Sequence, residues 1–293
     1  MLTLIHFGDL HAWRLALEWR DPYLKRGLGF FNWWLRRGKR FPPALAQRML
    51  RHLEQQEADL LVFSGDFSAM AQGDEFARAR QWLEPLRRKW GARFFAIPGN
   101  HDRYTPRSAR SAYESHFADE EMAAGQGVKR MVVDGGLSLV GFDASIPRPL
   151  SCRGYFPRAL HERLESVLLE EERAGRRSIL VGHYPYAVPP LYHHKWSRRL
   201  VGASSLAGLI ARYRPLLYLH GHEHRRRWAL RPPQTPETLC LNSGSIGLWE
   251  EDPLKRAGFL TVELNEARQP IAVRATVALF ADWDKTETFY LPV

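Results

Sequence analysis

Cysteine is scarce in this chain: Cys152 and Cys240 are the only two among 293 residues. Neither belongs to a CxxC pair, which argues against a thiolate zinc site, and two ordinary thiols are expected rather than a disulfide. Long apolar runs are missing as well. No stretch approaches the ~20 apolar residues that span a bilayer. The first residues, MLTLIHFGDLH, lack the basic start and long apolar run of a signal peptide. Internal repeats and low-complexity linkers are also missing. These absences point to a folded chain in the cytoplasm. An apolar content of 45% and a charged content of 25% are those of a soluble globular protein. The length, though above the average for a domain, lies within the reach of one α/β domain, taken as residues 1–293. The net charge of +10 favours anionic partners such as phosphorylated substrates, nucleic acid or an anionic lipid surface, without choosing among them.

What is present is a rhythm of short apolar runs that stop at polar loops. Leu2 to Phe7 ends at Gly8-Asp9, Leu60 to Phe63 at Ser64-Gly65-Asp66, and Arg93 to Ile97 at Pro98-Gly99-Asn100-His101-Asp102. Helical spacing lies between them, from Pro43 and over Phe76 to Trp90, so this half reads as βαβ units with a parallel sheet. Farther on, Leu137 to Phe142, Ser178 to Val181 and Leu216 to Leu219 read as strands, and Pro157 to Ala174 and Ser197 to Tyr213 as helices. Thr238 to Leu241, Gly258 to Leu264 and Ile271 to Phe280 read as mixed or antiparallel strands.

Five of these strands end in a loop bearing Asp, Asn or His. In open α/β sheets, ligands collect beyond the carboxyl ends of the strands. The candidates are Asp9, His11, Asp66, Asn100, His101, Asp102, His183, His222 and His224. Singly they are ordinary, since Asp caps helices, Gly-Asp makes turns and an isolated His is usually a satisfied polar residue. Together, with Gly8, Gly65, Gly99, Gly182 and Gly221 just before five of the key positions, they suggest one site. Imidazole and carboxylate ligands without sulfur suit Mn, Fe, Zn, Ni or Co. Seven N/O ligands drawn from this set would exceed one ion and suit two that share a bridging carboxylate, about 3.5–4 Å apart.

The ordered set Asp9-Leu10-His11, Gly65-Asp66, Gly99-Asn100-His101-Asp102, Gly182-His183 and Gly221-His222-Glu223-His224 resembles the calcineurin-like metallophosphoesterase superfamily, and in particular its cyclic-nucleotide-phosphodiesterase-like branch. Asn242 to Ser245 resembles the strand-end stretch that follows the last motif there. The resemblance implies a four-layer αββα sandwich of two mixed β-sheets flanked by helices. It also implies a binuclear centre of two divalent ions (Mn, Fe or Zn). Asp9, His11 and His224 would hold one ion, Asn100, His183 and His222 the other, and Asp66 would bridge them. His101 would approach the scissile phosphate with Asp102 orienting it, while a hydroxide shared by the ions attacks phosphorus. The implied activity is hydrolysis of a phosphate ester or anhydride. The substrate stays open among a small phosphoester such as a cyclic nucleotide, a lipid-linked pyrophosphate such as UDP-2,3-diacylglucosamine, and DNA or RNA. A non-enzymatic scaffold is the alternative of another class; the intact ligand set argues against it.

An insertion at residues 12–41 stands apart. It holds Trp13, Trp19, Trp33, Trp34, Phe30, Phe31 and Phe41, and eight Arg and Lys against only Glu18 and Asp21. Beginning one residue after His11, it is expected to border the active-site mouth. It suits a lid packed on the body, an element seating acyl chains or touching the inner membrane surface peripherally, or a stacking platform for nucleic acid, the least favoured of the three. Smaller clusters are Arg225 to Arg227, a substrate contact or a solvated turn; Arg36 to Arg40, a basic face; and Tyr184 to Trp196, a rim loop whose His193 and His194 are expected at the surface.

Overall fold

The computed structural model describes residues 1–13, 38–106, 108–117, 127–148, 151–224 and 227–293. Most of the basic aromatic insertion, residues 14–37, lies outside the described residues, as do Arg225 and Arg226. The described strands are β1 (Leu2–Phe7), β2 (Leu60–Phe63), β3 (Phe94–Ala96), β4 (Val128–Asp134), β5 (Leu137–Phe142), β6 (Gly154–Tyr155) and β7 (Arg177–Val181). Then follow β8 (Leu200–Val201), β9 (Leu217–His220), β10 (Trp228–Leu230), β11 (Leu239–Asn242), β12 (Gly258–Leu264), β13 (Pro270–Ala278) and β14 (Thr286–Leu291). The main helices are α1 (Pro43–Glu54), α2 (Gly73–Trp90), α3 (Ser108–Phe117), α4 (Arg158–Arg173) and α5 (Ala203–Tyr213).

Two six-stranded sheets form, in the orders β14-β13-β12-β1-β2-β3 and β10-β11-β9-β7-β5-β4, with β6 and β8 as a small ribbon. In the first sheet β1, β2 and β3 run parallel, whereas β12, β13 and β14 are antiparallel. In the second, β5, β7, β9 and β11 run parallel, with antiparallel β4 and β10 at the edges. The architecture is therefore mixed α/β, with two large mixed sheets and helices outside, as the motif order implied.

Alternation along the strands makes the layers. Leu2 and Leu4 of β1, Leu139 of β5 and Leu217 and Leu219 of β9 share one core between the sheets. Ile5 and Phe7 of the same β1 pack with Leu45, Met49 and Leu53 of α1 and Phe76 and Leu83 of α2 on the outer face. Val140, Leu180 and Tyr218 meet Leu164 and Leu168 of α4 and Leu206 and Ile210 of α5 on the other outer face. Strands buried on both faces read as unbroken apolar runs, which is why β1, β2, β7 and β9 were visible in the sequence.

The reading of Ser197 to Tyr213 as one helix is corrected. A 3-10 turn at Trp196–Arg198 and strand β8 come first, and α5 starts after Gly202. Gly202 sits at φ 88°, a left-handed conformation that glycine adopts without a Cβ clash and that interrupts any helix. The three C-terminal strands read from the sequence fall within two residues of β11, β12 and β13, with β11 parallel to β9 and β12 and β13 antiparallel, whereas β10 and β14 were not read from it. Among the described residues, no helix is long and apolar enough to cross a membrane.

Leu219 is fully buried between the sheets. Leu219→Ala is expected to destabilise the protein by about 2–5 kcal/mol, by lost burial plus a cavity. Denaturant unfolding of both forms measures it, and a loss below about 1 kcal/mol would contradict the inter-sheet core.

Candidate metal centre

The loops that leave β1, β2 and β3 are laced together. Asp9 and His11 donate their backbone N–H to the carbonyls of Gly65 (2.9 Å) and Asp66 (3.0 Å). Asp102 has a buried carboxylate that accepts from the backbone N–H of Asp66 (3.0 Å), Phe67 (3.1 Å), Ser68 (2.9 Å) and Gly99 (2.9 Å), and from the Ser68 hydroxyl (3.0 Å). The second sheet joins at the same edge. His183 Nδ1 donates to the Ser64 carbonyl (2.8 Å), and the His222 backbone N–H donates to Asp9 Oδ2 (3.1 Å). Ser245, from the stretch after β11, donates its hydroxyl to the Asp9 carbonyl (2.7 Å).

So close an approach requires missing side chains. A Cβ on Gly221 would lie 2.6 Å from Asp9 Oδ2, and one on Gly99 would overlap Asp66. The backbone bends as sharply as the lacing demands. Asp9 (φ 52°), His11 (φ 48°), Asp66 (φ 65°) and His222 (φ 67°) all occupy the left-handed region. That conformation costs a non-glycine residue on the order of 1–3 kcal/mol and collects at functional sites. Two left-handed residues, rather than an extended run, put the Asp9 and His11 side chains on one side.

Nine candidate side chains from five loops meet here, all buried. Asp9, His11 and His224 offer ligand atoms within 4.8 Å of one another, as do Asp9, Asp66 and His183, and His11, Asp66 and His101. Asp66 Oδ2 stands between two sets, 3.8 Å from His11 Nε2 and 3.4 Å from His183 Nε2. Asn100 Oδ1 lies 3.1 Å from His183 Nε2 and 2.8 Å from His222 Nδ1. Ligand bonds of about 2.0–2.2 Å separate two ligands on one cation by roughly 3 Å, close to these gaps.

Charge makes the same point. Asp9 Oδ1 is buried with no hydrogen-bond donor. Burial, reinforced by the Asp66 carboxylate, pushes the Asp9 carboxyl well above its usual range, against the pull of His183. Burial also opposes ionisation of Asp66, but His183, His101 and His11 outweigh it and hold that carboxyl well below the usual range. For His183, burial favours the neutral ring, yet Asp66 and Asp9 push it up to about 9. Burial and then the neighbouring His183 hold His222 well below the ordinary imidazole value. With two buried carboxylates in the cluster, His183 and His222 each present one nitrogen to a carbonyl and the other to the Asn100 oxygen. These residues fit a pair of divalent cations.

Two role assignments need revision. Asp102 does not act as a hydrogen-bond partner orienting the His101 ring; its five acceptor contacts clamp the backbone of the β2 and β3 loops. The His101 ring instead places Nδ1 against the Ala69 carbonyl, a contact that leaves Nε2 unprotonated in the neutral ring, and its backbone N–H donates to Asp66 Oδ1 (2.8 Å). Arg227, read as a substrate contact or solvated turn, is neither. It is buried, with its guanidinium donating to the carbonyls of Ser245 (3.0 Å) and Arg256.

Residues of the insertion's ends and of the rim loop also shape the site. Phe41 packs edge-on against His11 (5.1 Å) and His224 (5.6 Å), and its carbonyl accepts from Trp13 Nε1 (2.8 Å). The two described ends of the insertion thus meet beside the first ligand set. Tyr184 packs against His222 at 4.6 Å. The Tyr184 to Trp196 stretch does form a rim loop, with His193 exposed and His194 half-buried against Glu223 (3.5 Å).

The chain matches a family model described as calcineurin-like phosphoesterase over residues 2–226. Its fold is similar to the crystal structure of a dimetal phosphatase from Danio rerio, with a TM-score of 0.60 and 12% identity, each chain covered to 99%. It is also similar to a purple acid phosphatase from yellow lupin seeds (TM-score 0.58, 12% identity), covering 99% of this chain and 53% of that one. The present chain thus spans about half the length of the lupin enzyme. No curated protein matches it significantly.

Two outcomes follow from the geometry. Asp66→Asn is expected to lower the binding of both ions, so metal analysis of the purified variant should find well under two per chain; two tightly held ions would remove Asp66 as the bridge. Below about pH 9 the second ion must displace the His183 proton. Its affinity should therefore rise about tenfold per pH unit up to that value and level off above it. Calorimetric Mn²⁺ titrations across that range, in buffers of different ionisation heat, report the proton release; a flat affinity would contradict it.

Proposed function

Because the chain belongs to the calcineurin-like phosphoesterase family, we propose that it is a binuclear metal-dependent hydrolase of phosphate esters or anhydrides. The observation that carries this reading is Asp66 Oδ2 standing between two histidine sets, 3.8 Å from one and 3.4 Å from the other. Asp9, His11 and His224 would hold one ion, and Asn100, His183 and His222 the other. When bound, the pair supplies a water nucleophilic near neutral pH and offsets the charge that develops on the phosphoryl oxygens. The remaining work falls to the chain. His183 Nδ1–H donates to the Ser64 carbonyl and His222 Nε2–H to the Arg198 carbonyl, which leaves the opposite nitrogens free to hold the ions. His101, with Nδ1–H held by the Ala69 carbonyl, directs Nε2 at the substrate, where it can give a proton to the leaving oxygen.

A lipid-linked pyrophosphate is the substrate reading that a further observation favours. The rim loop beside the second ligand set carries a fully exposed Leu191 and Trp196 at 64% exposure, with Arg153 stacked on Trp196 at 4.3 Å. Apolar and aromatic side chains among cations suit an amphipathic anionic substrate at a membrane surface, with peripheral contact aided by residues 12–41. Hydrolysis stimulated by detergent or anionic vesicles, and lost on deleting residues 13–40, supports it. A steep salt dependence with DNA or RNA as substrate supports the nuclease instead.

His101→Ala is expected to keep both ions while slowing hydrolysis of a chromogenic phosphodiester in Mn²⁺ by about 10²–10⁴-fold. Full activity of the loaded variant would exclude His101 from proton transfer. A wild-type protein that binds metal but hydrolyses no phosphoester or anhydride would return the scaffold reading.

A further inference from the structure

Glu223 stands between His222 and His224 of the last motif, yet its side chain reaches into the rim loop. It is buried at 2% exposure. Its carboxylate accepts from the Tyr192 hydroxyl at 2.5 Å and Arg198 Nη1 at 3.4 Å, with His194 Nε2 at 3.5 Å. Its backbone carbonyl accepts from Asn242 Nδ2 at 2.8 Å, which fixes the motif to the end of β11. The loop gripped in this way supplies the Arg198 carbonyl, which lies 3.0 Å from His222 Nε2. Arg199 braces the same stretch by donating to the His194 carbonyl at 3.1 and 3.2 Å. On its other side the His222 ring rests on Tyr184, the first residue of the loop.

We infer that Glu223 is a positioning residue: it straps the rim loop, residues 184–199, over the second ligand set, so that the Arg198 carbonyl fixes His222 with Nε2 protonated and Nδ1 presented to the metal. The inference rests on the two-metal reading of the centre. An imidazole ligates through the nitrogen its outer partner leaves unprotonated, and losing such a partner typically costs 10–100-fold in metal affinity. A carboxylate suits the strap because one group can gather a hydroxyl and a guanidinium from two points of the loop. Rim and metal site are thereby coupled: whatever displaces the loop releases the acceptor that holds His222.

The test uses Mn²⁺ titration calorimetry on the full chain after metal removal, with nitrogen-15 NMR of the histidine rings. His183→Ala and His11→Ala serve as references for the two sites. Glu223→Ala and Tyr192→Phe are expected to weaken the second ion by 10–100-fold while leaving the first unchanged. The Nε2–H form of His222 should give way to a mixture of tautomers. Glu223→Gln, which still accepts from Tyr192, should recover most of the loss. Tyr192→Phe carries the test if Glu223→Ala fails to fold. Equal weakening of both ions, or an unchanged His222 tautomer and second-site affinity, would overturn the inference alone. A wild-type chain that takes up no Mn²⁺ would overturn the two-metal reading and this inference with it.

Discussion

Everything in this molecule turns on one buried carboxylate. Asp66 has about 1% exposure and sits at the seam where two sheets meet, with His11 on one side and His183 on the other. Together with Asp9 it places two acidic groups in a region without solvent, an arrangement that is costly unless cations compensate it. His183 supplies part of that compensation, held up to about 9 by the two carboxylates against the effect of its burial. Divalent ions would replace its proton and meet the lone pairs that converge there. The electrostatics of the cluster and its fitness for divalent ions are thus the same fact.

The fold exists in a form that makes this juxtaposition possible. Parallel strands β1, β2 and β3 deliver their carboxyl ends to one edge of the first sheet, and β7 and β9 deliver theirs to the adjoining edge of the second. The apolar core between the sheets fixes the distance across the seam. Strain is concentrated where the loops must turn, in Asp9, His11, Asp66 and His222. Asp102 holds three consecutive N–H groups in place there, so the conformation is imposed by the surroundings rather than by local preference.

Much of this was legible in the sequence, for a physical reason. Strands buried on both faces appear as apolar runs, and a site formed at their ends appears as polar residues directly after each run. What stayed hidden lacked such a signal. Strand β4, Val128–Asp134, is an edge strand whose exposed residues are Arg130 and Val132, so it carries no buried apolar run. Gly202 broke a helical pattern that amphipathic spacing alone seemed to support. Asp102 and Glu223 act through backbone and loop contacts spanning tens of residues, which no local spacing encodes. Arg227 belonged to a run of three arginines whose composition suggested solvent, although its guanidinium is enclosed by carbonyls.

The site's reach beyond its ligands comes through the segments that flank them. Phe41 walls the first set from the base of the insertion, and the rim loop lies against the second through Glu223. Specificity would therefore be set by elements that differ in composition from the ligand loops, while the chemistry stays with the seam. Anomalous diffraction from crystals grown with Mn²⁺ tests the central claim most directly. The account predicts two peaks flanking Asp66, about 3.5–4 Å apart, and a single peak, or none within reach of that carboxylate, would contradict it.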